Sequence, residues 1–240
     1  MTYNLDVTFF IPCLNEEKNI LNTLNNLFSL FQEITLTFEI ILCDDNSKDS
    51  TIEIVEKFIK NNNIDNIKII KNSKTRGLGR NYIDCAFKAN GKYYMLVNGD
   101  NAEPKETIKK ILSKINRKDM IIPYFEKSDK RSFLRKITSN FFTFLVNLLS
   151  GYKIPYYNGP VLHKTYNVMR WSPDTHGYAY QAELITRILM EGGEYELVKI
   201  RNNPRIQGTS KAFSFQNILS VTHSLLQIFL RRLRNILFYN

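Results

Sequence analysis

The sequence predicts an α/β fold in which a mostly parallel, Rossmann-like sheet is flanked by helices. Three observations lead to this prediction. Short apolar runs alternate with segments of helical spacing through the first half of the chain. The runs are almost continuously apolar, as expected of parallel strands that are covered by helices on both faces. Polar residues follow the runs directly, and ligands of such sheets bind beyond the carboxyl ends of the strands.

Four strands and four helices are predicted in the first half. In the first helix, Ile20, Leu24 and Leu27 share one face. The fourth helix begins at Pro104, a position where the missing N–H of proline is tolerated. The predicted strands are Val7–Ile11, Phe38–Cys43, Ile67–Ile70 and Tyr93–Val97, and the other helices are Glu16–Phe31, Thr51–Ile59 and Leu78–Ala89.

The second half is less regular, and we predict two strands and three helices in it. The strands are Met120–Pro123 and Tyr195–Ile200, and the helices are Arg131–Ser150, Tyr178–Met190 and Phe213–Phe238. We expect one domain over residues 1–211, with a donor-binding half at 1–125 and an acceptor half at 126–211. Residues 212–240 would form a C-terminal, amphipathic and basic helical segment.

The composition of the chain limits the classes of partner that it can be expected to bind. The chain has 240 residues, a net charge of +10 and an isoelectric point near 9.4. Anionic lipid, a phosphate-rich substrate or nucleic acid would each suit this charge, and so would a composition that is simply rich in lysine and asparagine. No basic residues are interleaved with aromatic ones as in RNA-binding motifs, so we expect no nucleic-acid partner.

Cysteine usage and the N-terminus predict an intracellular protein. Cys13, Cys43 and Cys85 lie far apart in apolar runs, without the CxxC spacing of a structural zinc site. The first residues lack the basic region of a signal peptide. The apolar stretch from Phe133 to Leu149 is interrupted by Arg135 and Lys136, so no membrane span is predicted.

Three segments of the chain carry a family resemblance. They are FIPCLNEEKNI, IILCDDNSKDST and TRGLGRNYIDCAFKANGKYYMLVNGDN. Together they resemble the family 2 glycosyltransferases, in the branch of the dolichol-phosphate and polyprenyl-phosphate sugar transferases. The resemblance implies a GT-A fold, a UDP- or GDP-hexose donor, a Mg²⁺ or Mn²⁺ ion, and inversion at the anomeric carbon.

The resemblance also implies roles for individual residues. The donor would be bound by Pro12, Asn15 and Glu16 after the first strand, by Asp44 and Asp45 after the second, and by Arg76, Gly77 and Gly79 in the loop beneath the nucleotide. Asp100 matches the last acid of the metal-binding DxD motif. These residue types suit the chemistry, because a divalent cation held by carboxylate and amide oxygens neutralises a leaving diphosphate.

Two positions depart from the family pattern. The first acid of the DxD motif is replaced by Asn98, whose amide oxygen can ligate a metal without contributing charge. The polyprenyl-phosphate branch has a Ser-Gly-Phe-Arg segment that is preceded by an acid. In this chain Tyr157–Val161 lacks both the arginine and the acid, which weakens the prediction of a lipid-phosphate acceptor.

On the acceptor side, Glu183 is the candidate catalytic base, with Asp174 as the second choice. A hydroxyl acceptor needs such a base, whereas a phosphate acceptor is already ionised. The alternative is that Glu183 is a solvated helix acid. Arg205 and Lys211 match a phosphate-binding loop of the family, although an ordinary basic surface loop would look the same. The histidines lack metal-ligand spacing and are interpreted as surface or core residues.

Two amphipathic segments predict peripheral contact with the inner face of a membrane. One stripe contains Leu134, Ile137, Phe141, Phe144, Leu145 and Leu148, beside Arg131, Arg135 and Lys136. The other contains Leu225, Leu226, Phe229, Leu233 and Ile236, beside Arg231, Arg232 and Arg234. Basic amphipathic helices lie in lipid interfaces. Packing on the sheet or on a second copy of the chain remains an alternative.

The leading hypothesis is therefore an inverting glycosyltransferase that acts on a polyprenyl phosphate or a surface glycan. A non-catalytic homologue that binds a nucleotide sugar or a lipid is the alternative, because of Asn98 and the missing arginine. A dehydrogenase is disfavoured because Gly77-Leu78-Gly79 does not continue into the GxGxxG motif.

Overall fold

A seven-stranded sheet organises the chain. The computed structural model describes residues 3–125, 133–173, 177, 179–201 and 215–238. The strands are β1 (Leu5–Cys13), β2 (Phe38–Asp44), β3 (Ile67–Lys71), β4 (Gly91–Leu96), β5 (Met120–Phe125), β6 (Leu162–Lys164) and β7 (Tyr195–Ile200). The helices are α1 (Ile20–Phe31), α2 (Thr51–Asn61), α3 (Leu78–Ala86), α4 (Lys105–Leu112), α5 (Phe133–Ser150), α6 (Thr165–Arg170), α7 (Tyr180–Met190) and α8 (Phe215–Phe238).

The strand order is β3-β2-β1-β4-β6-β5-β7. The first four strands along the chain are parallel neighbours, and β5 and β7 are also parallel. Only β6, among the described strands, runs antiparallel to its neighbours β4 and β5. The predicted α/β fold with a mostly parallel sheet is confirmed, and α1 to α4 follow the predicted alternation.

Apolar side chains alternate between the two faces of the sheet and form two cores. On one face, Phe10 and Ile41 pack with Tyr82 of α3 and with α7. On the other, Phe9 and Ile40 pack with α1, α2 and α4. Since both faces are covered, the central strands contain little except buried apolar residues. This is the physical basis of the continuous runs in the sequence.

Two elements were not predicted, namely β6 and α6. The three residues of β6 are too few to show any periodicity, and α6 follows it without a connecting loop. Strand β1 also extends beyond the predicted end at Ile11. It pairs in register through Pro12 and Cys13 with Cys43 and Asp44.

The C-terminal helix α8 is present, as predicted, and it packs against α5 and α7. One fixed point is the guanidinium of Arg232, which donates a hydrogen bond to the backbone oxygen of Leu148 at 2.8 Å. The predicted domain boundary at residue 211 lies outside the described residues. No helix in the described part of the chain is long and apolar enough to cross a membrane.

Candidate active site

The sequence-predicted donor residues meet at one edge of the sheet. Strands β1, β2 and β4 are parallel neighbours with β1 in the middle, so their carboxyl ends lie side by side. The residues that follow these ends include Asn15 and Glu16 after β1, Asp45 after β2, and Asn98 and Asp100 after β4. Pro12 is the last residue but one of β1, and Asp44 is the last residue of β2. Asp44, Asp45 and Asp100 are all buried.

Hydrogen bonds join the loop after β1 to the loop after β2. The Asn15 N–H donates to Ser47 Oγ at 2.9 Å, and Asn15 Oδ1 accepts from the Lys48 N–H at 2.8 Å. The Glu16 N–H donates to Thr51 Oγ1 at 2.8 Å. Asn15 adopts φ 60°, a left-handed conformation that asparagine tolerates better than most residues. The side chain of Asn15 therefore holds the loop in shape.

The Asp45 carboxylate orders the glycine-containing loop before α3. It accepts hydrogen bonds from the N–H groups of Arg76 at 2.8 Å and Gly77 at 3.0 Å, and from Asn72 Nδ2 at 3.0 Å. Burial alone would raise the pKa of Asp45, but these bonds, together with one from Asn81, hold that pKa below its usual value. The charged form of Asp45 is thus stabilised as the anchor of the loop.

The backbone conformation of this loop requires a glycine at position 77. Gly77 immediately precedes α3 and adopts φ 89°, which residues with a Cβ rarely adopt. Gly79 is buried in the first turn of α3. The Arg76 guanidinium reaches Asp84 Oδ2 at 2.7 Å. Both side chains line a cavity of about 320 Å³ between the ends of β2 and β3 and helix α3.

The loop after β4 packs directly on the loop after β1. A Cβ atom at Gly99 would lie 2.9 Å from the Pro12 backbone oxygen and 3.5 Å from Glu16 Cγ, so a larger residue would separate the two loops. The Gly99 oxygen accepts a hydrogen bond from Thr23 Oγ1 at 2.9 Å. Asp100 is therefore held at the same edge as Pro12 and Glu16.

Glu103 is a site residue that the sequence analysis missed. Its carboxylate accepts from the backbone N–H of Asn98 at 3.0 Å and from Asn98 Nδ2 at 2.7 Å. Burial, together with the nearby charge of Asp100, raises the pKa of Glu103 to about 7 even though these hydrogen bonds oppose the shift. An acid three residues after an Asp-containing motif, and just before a helix, was the available signal.

The geometry fits a divalent cation that is bound with few protein ligands. No group of three or more His, Cys, Asp and Glu side chains that could hold a metal occurs in the described part of the chain. Because Asn98 Nδ2 donates to Glu103, its Oδ1 is the end of the amide left for a cation. Asp100, two residues further along the chain, would supply one carboxylate. Mg²⁺ commonly takes one or two such ligands and completes its shell with water and substrate phosphates.

Glu183, the candidate base, lies inside the protein. It is fully buried on α7, and its carboxylate accepts a hydrogen bond from the guanidinium of Arg231 of α8. The alternative in which Glu183 is a solvated helix acid is therefore wrong, because α8 covers this face of α7. Asp174, His176, Arg205 and Lys211 lie outside the described residues, so the phosphate-binding loop stays a prediction.

The remaining residues of interest are core or surface positions. His163 is fully buried and bonds to Gln181 Oε1 at 3.1 Å, which confirms it as a core histidine. The three cysteines are free and buried. In the two amphipathic stripes, Phe141, Phe144 and Leu148 of α5 are more than half exposed, as is Leu226 of α8. These four side chains are therefore not covered by the sheet. Arg131 and the side chains of Leu134 and Arg135 lie outside the description.

The sequence matches a family profile and a characterised relative. Residues 8–176 match the profile described as Glycosyl transferase family 2. A dolichyl-phosphate beta-glucosyltransferase of Dictyostelium discoideum is 30% identical over 162 residues, which are 61% of this chain and 50% of that protein. The chain thus spans about half the length of this relative.

Solved structures share the fold at low sequence identity. Mannosyl-3-phosphoglycerate synthase from Rubrobacter xylanophilus superposes with a TM-score of 0.71 at 14% identity, over 96% of this chain and 74% of that one. Glucosyl-3-phosphoglycerate synthase from Mycobacterium tuberculosis, in complex with Mn²⁺, UDP and glucosyl-3-phosphoglycerate, superposes with a TM-score of 0.66 at 12% identity. That match covers 95% of this chain and 80% of the other. The likeness confirms the predicted GT-A type of fold.

Proposed function

Because the chain belongs to glycosyl transferase family 2, we propose that it transfers a hexose from a UDP- or GDP-sugar to a phosphate-bearing lipid or a surface glycan, with inversion. One observation carries the proposal. The loops after β1, β2 and β4 are joined around one sheet edge, and they bring Asp44, Asp45 and Asp100 together there. Ligands of parallel sheets bind at this edge.

We assign the two adjacent acids different tasks. Asp45 uses its carboxylate to hold the N–H groups of Arg76 and Gly77, so it shapes the loop beneath the nucleotide. Among the described residues, the Asp44 carboxylate accepts hydrogen bonds only from the Ser47 N–H, at the longer distances of 3.2 and 3.3 Å. It is therefore the better candidate for the ribose hydroxyls, which a carboxylate accepts well. Pro12, Asn15 and Glu16 would form the opposite wall of the donor site.

Asp100 and the Asn98 amide oxygen would hold Mg²⁺ or Mn²⁺ against the donor diphosphate. The M. tuberculosis neighbour, which binds Mn²⁺ and UDP, supports a cation in this fold. A bound cation neutralises charge that develops on the leaving diphosphate. Glu103 keeps Asn98 oriented through two hydrogen bonds. The protein would contribute the Asp100 carboxylate and the Asn98 amide oxygen, and the donor phosphates would supply further oxygen ligands.

Of these two acceptors we favour the phosphate-bearing lipid over a glycan, whose accepting group would be a hydroxyl. A hydroxyl acceptor needs a base, and Glu183 could serve only after it separates from Arg231. A phosphate acceptor is already ionised and needs none. The dolichyl-phosphate relative supports this choice. Arg205 and Lys211 would bind the acceptor or donor phosphates, and the protein would work at the inner face of a membrane.

The test is donor binding followed by transfer. Purified protein is titrated with UDP- and GDP-hexoses in the presence of Mn²⁺, and sugar release is measured with and without a short polyprenyl phosphate. We expect one nucleotide to bind and its sugar to be transferred only when both metal and acceptor are present. Failure of every donor to bind would refute the proposal.

The replacement of the first metal-motif acid by Asn98 keeps one alternative in view, a homologue that binds a nucleotide sugar without transferring it. Donor binding without turnover on any acceptor in the panel would favour that alternative.

A further inference from the structure

A second cavity lies between α7 and α8, away from the donor loops. It has a volume of about 240 Å³ and is lined by Arg187, Gln227, Leu230, Arg231 and Arg234. The four α8 residues follow i, i+3, i+4, i+7 spacing, so they share one face of the helix. Arg187 faces them from α7. We call this cavity the arginine pocket.

The arginine pocket is built for an anion. Of the five described residues that line it, three are arginines and none is acidic. Arg231 uses Nη2 to bind Glu183, while its Nη1 is buried without a hydrogen-bond partner among the described residues. Arg234 is exposed, and no ion pair joins it to another residue of the described ranges. A buried donor that lacks an acceptor is unfavourable, and an anion would satisfy it.

Arg187 is fixed before any ligand arrives. Its guanidinium lies 5.2 Å from the ring centroid of Trp171, and its Nη1 donates to the Ser172 backbone oxygen at 3.3 Å. A planar guanidinium group can bind two phosphate oxygens at once through two parallel hydrogen bonds. The volume is below the 300–1,000 Å³ typical of pockets for drug-sized ligands, so the pocket suits a single phosphate group.

The surroundings of the pocket are apolar and exposed. On α8, Leu226, Phe229 and Leu233 are each about two-fifths to one-half exposed. On α5, Phe141, Phe144 and Leu148 are more than half exposed. Helix α5 packs against α8, and Arg232 binds the Leu148 oxygen. The exposed apolar side chains of α8, which we call the apolar rim, therefore share a helix with four of the pocket's lining residues, and those of α5 lie on a helix that packs against α8.

We propose that the arginine pocket binds the phosphate of an anionic phospholipid headgroup while the apolar side chains of α5 and α8 enter the bilayer interface. Arginine near an anionic leaflet contributes about 1 kcal/mol per residue, and apolar side chains of an amphipathic helix enter the boundary between headgroups and acyl chains. The arginine pocket and the apolar side chains would thus form the membrane-contacting surface of the protein. Their binding to lipid does not depend on sugar transfer.

Charge favours lipid over a second copy of the chain as the occupant. In a two-fold dimer the same surface faces itself, so the arginine pocket and its apolar rim would meet their own counterparts. Arg187, Arg231 and Arg234 of each copy would then approach like charges. An anionic bilayer offers the opposite charge to the arginines and an apolar layer to the rim.

The experiment measures flotation of the full chain with two kinds of vesicle, phosphatidylcholine alone and phosphatidylcholine containing phosphatidylglycerol. The test variant is Arg234→Gln. Its matched control is Arg117→Gln, which removes the same charge from an exposed arginine beside Glu196, in the connection between α4 and β5. We expect Arg234→Gln to weaken binding to anionic vesicles about fivefold, which corresponds to one arginine contact, and Arg117→Gln to change it less than about twofold.

Further variants separate the contributions of charge, of the planar guanidinium and of the apolar side chains to vesicle binding. Arg234→Lys keeps the charge but loses the planar fork, so it should recover only part of the binding. Phe229→Ser should weaken binding to anionic vesicles through the apolar rim. Inorganic phosphate should compete only weakly, because it lacks the acyl chains.

Several results would overturn the proposal. They are equal binding to both kinds of vesicle, an equal loss in the two arginine-to-glutamine variants, binding of inorganic phosphate without binding of vesicles, and a dimer that Phe229→Ser dissociates while vesicle binding is unchanged. Vesicle binding is measured without nucleotide sugar. Protein that binds vesicles but no nucleotide would refute the proposed function alone, and protein that binds nucleotide but no vesicles would refute this inference alone.

Discussion

Residues 1–125, the predicted donor half, and residues 126–211, the predicted acceptor half, use buried polar groups in different ways. In the donor half, acids such as Asp45 sit at strand ends and accept several backbone N–H groups from neighbouring loops. In the second half, buried polar side chains pair between secondary-structure elements, as Glu183 does with Arg231 of the C-terminal helix and His163 with Gln181. Polar groups in the first arrangement shape a site, whereas those in the second hold elements together.

This difference predicts which substitutions should impair binding or turnover and which should impair folding. A change in a donor-half acid should affect binding or turnover more than folding, because the loops share several bonds. A change in one member of an acceptor-half pair should affect folding more, because its partner is left buried without compensation. The predictions below test this division, beginning with the largest expected effect.

Arg231→Met should destabilise the protein by about 3–5 kcal/mol, because it leaves the fully buried Glu183 carboxylate without its guanidinium. The double variant Glu183→Leu with Arg231→Met should recover most of this loss, since no buried charge then remains. Equilibrium unfolding in urea measures both. As a control, Lys118→Met breaks an exposed pair with Glu194 and should change stability by no more than about 1 kcal/mol. If Arg231→Met is as stable as the control, the pair does not hold α8 to α7.

Asp100→Asn should lower turnover by about 10²- to 10³-fold, a magnitude typical of losing one electrostatic contact to the transition state, with little change in stability. The Ala102 N–H can still donate to the amide oxygen at this position. Turnover is measured with the preferred donor, and Mn²⁺ affinity is measured separately by titration. The exposed Asp65→Asn serves as the control. Unchanged turnover and Mn²⁺ affinity would exclude Asp100 from the metal site.

The strand-end acids could be predicted because their placement follows from topology. Parallel neighbours end at one edge, so Asp45 after β2 and Asp100 after β4 had to lie on either side of the loop after β1. The apolar runs indicated the strands, and the resemblance added the roles. The sequence thus placed these acids at one edge of the sheet, and the structure added that β1 lies between β2 and β4.

Contacts that depend on chain reversal or on distant helices could not be predicted. Glu103 reaches Asn98 because the chain turns back on itself, and Asn101 adopts φ 55° within that turn. Glu183 and Arg231 are separated by 48 residues and lie on different helices. The sequence around each residue does not indicate its partner. From the sequence, Glu183 could therefore equally be interpreted as a base or as a solvated acid. The arginine pocket could not be predicted for the same reason, because its lining residues come from two helices that are distant in sequence.

Asp45→Asn should destabilise the protein by about 2 kcal/mol, because the amide keeps one oxygen acceptor and its NH₂ would face the N–H group of either Arg76 or Gly77. Asp44→Asn is the informative comparison. Its amide oxygen can keep the Ser47 contact, so it should change stability by less than about 1 kcal/mol while it weakens nucleotide binding. Urea unfolding and nucleotide titration separate the two effects. Equal effects of both variants on stability would contradict the different tasks assigned to these acids.

The His163–Gln181 pair should make stability sensitive to pH. Burial lowers the pKa of His163 to about 4, although the hydrogen bond with Gln181 opposes the shift. An unfolded chain has a histidine pKa of about 6.5, so between these values the unfolded state binds the proton and the native state does not. The stabilising contribution is present above the unfolded pKa and is lost as the pH falls towards about 4.

Lowering the pH from about 7 to about 5 should therefore destabilise the natural protein by about 2 kcal/mol more than it destabilises His163→Gln, which cannot take up this proton. Urea unfolding at each pH measures the difference. His223→Gln changes an exposed histidine of α8 and should keep the pH dependence of the natural protein. If His163→Gln and His223→Gln respond to acid in the same way, the buried pair of the acceptor half does not carry the pH dependence. The contrast with the loop-bound acids of the donor half would then rest on Glu183 and Arg231 alone.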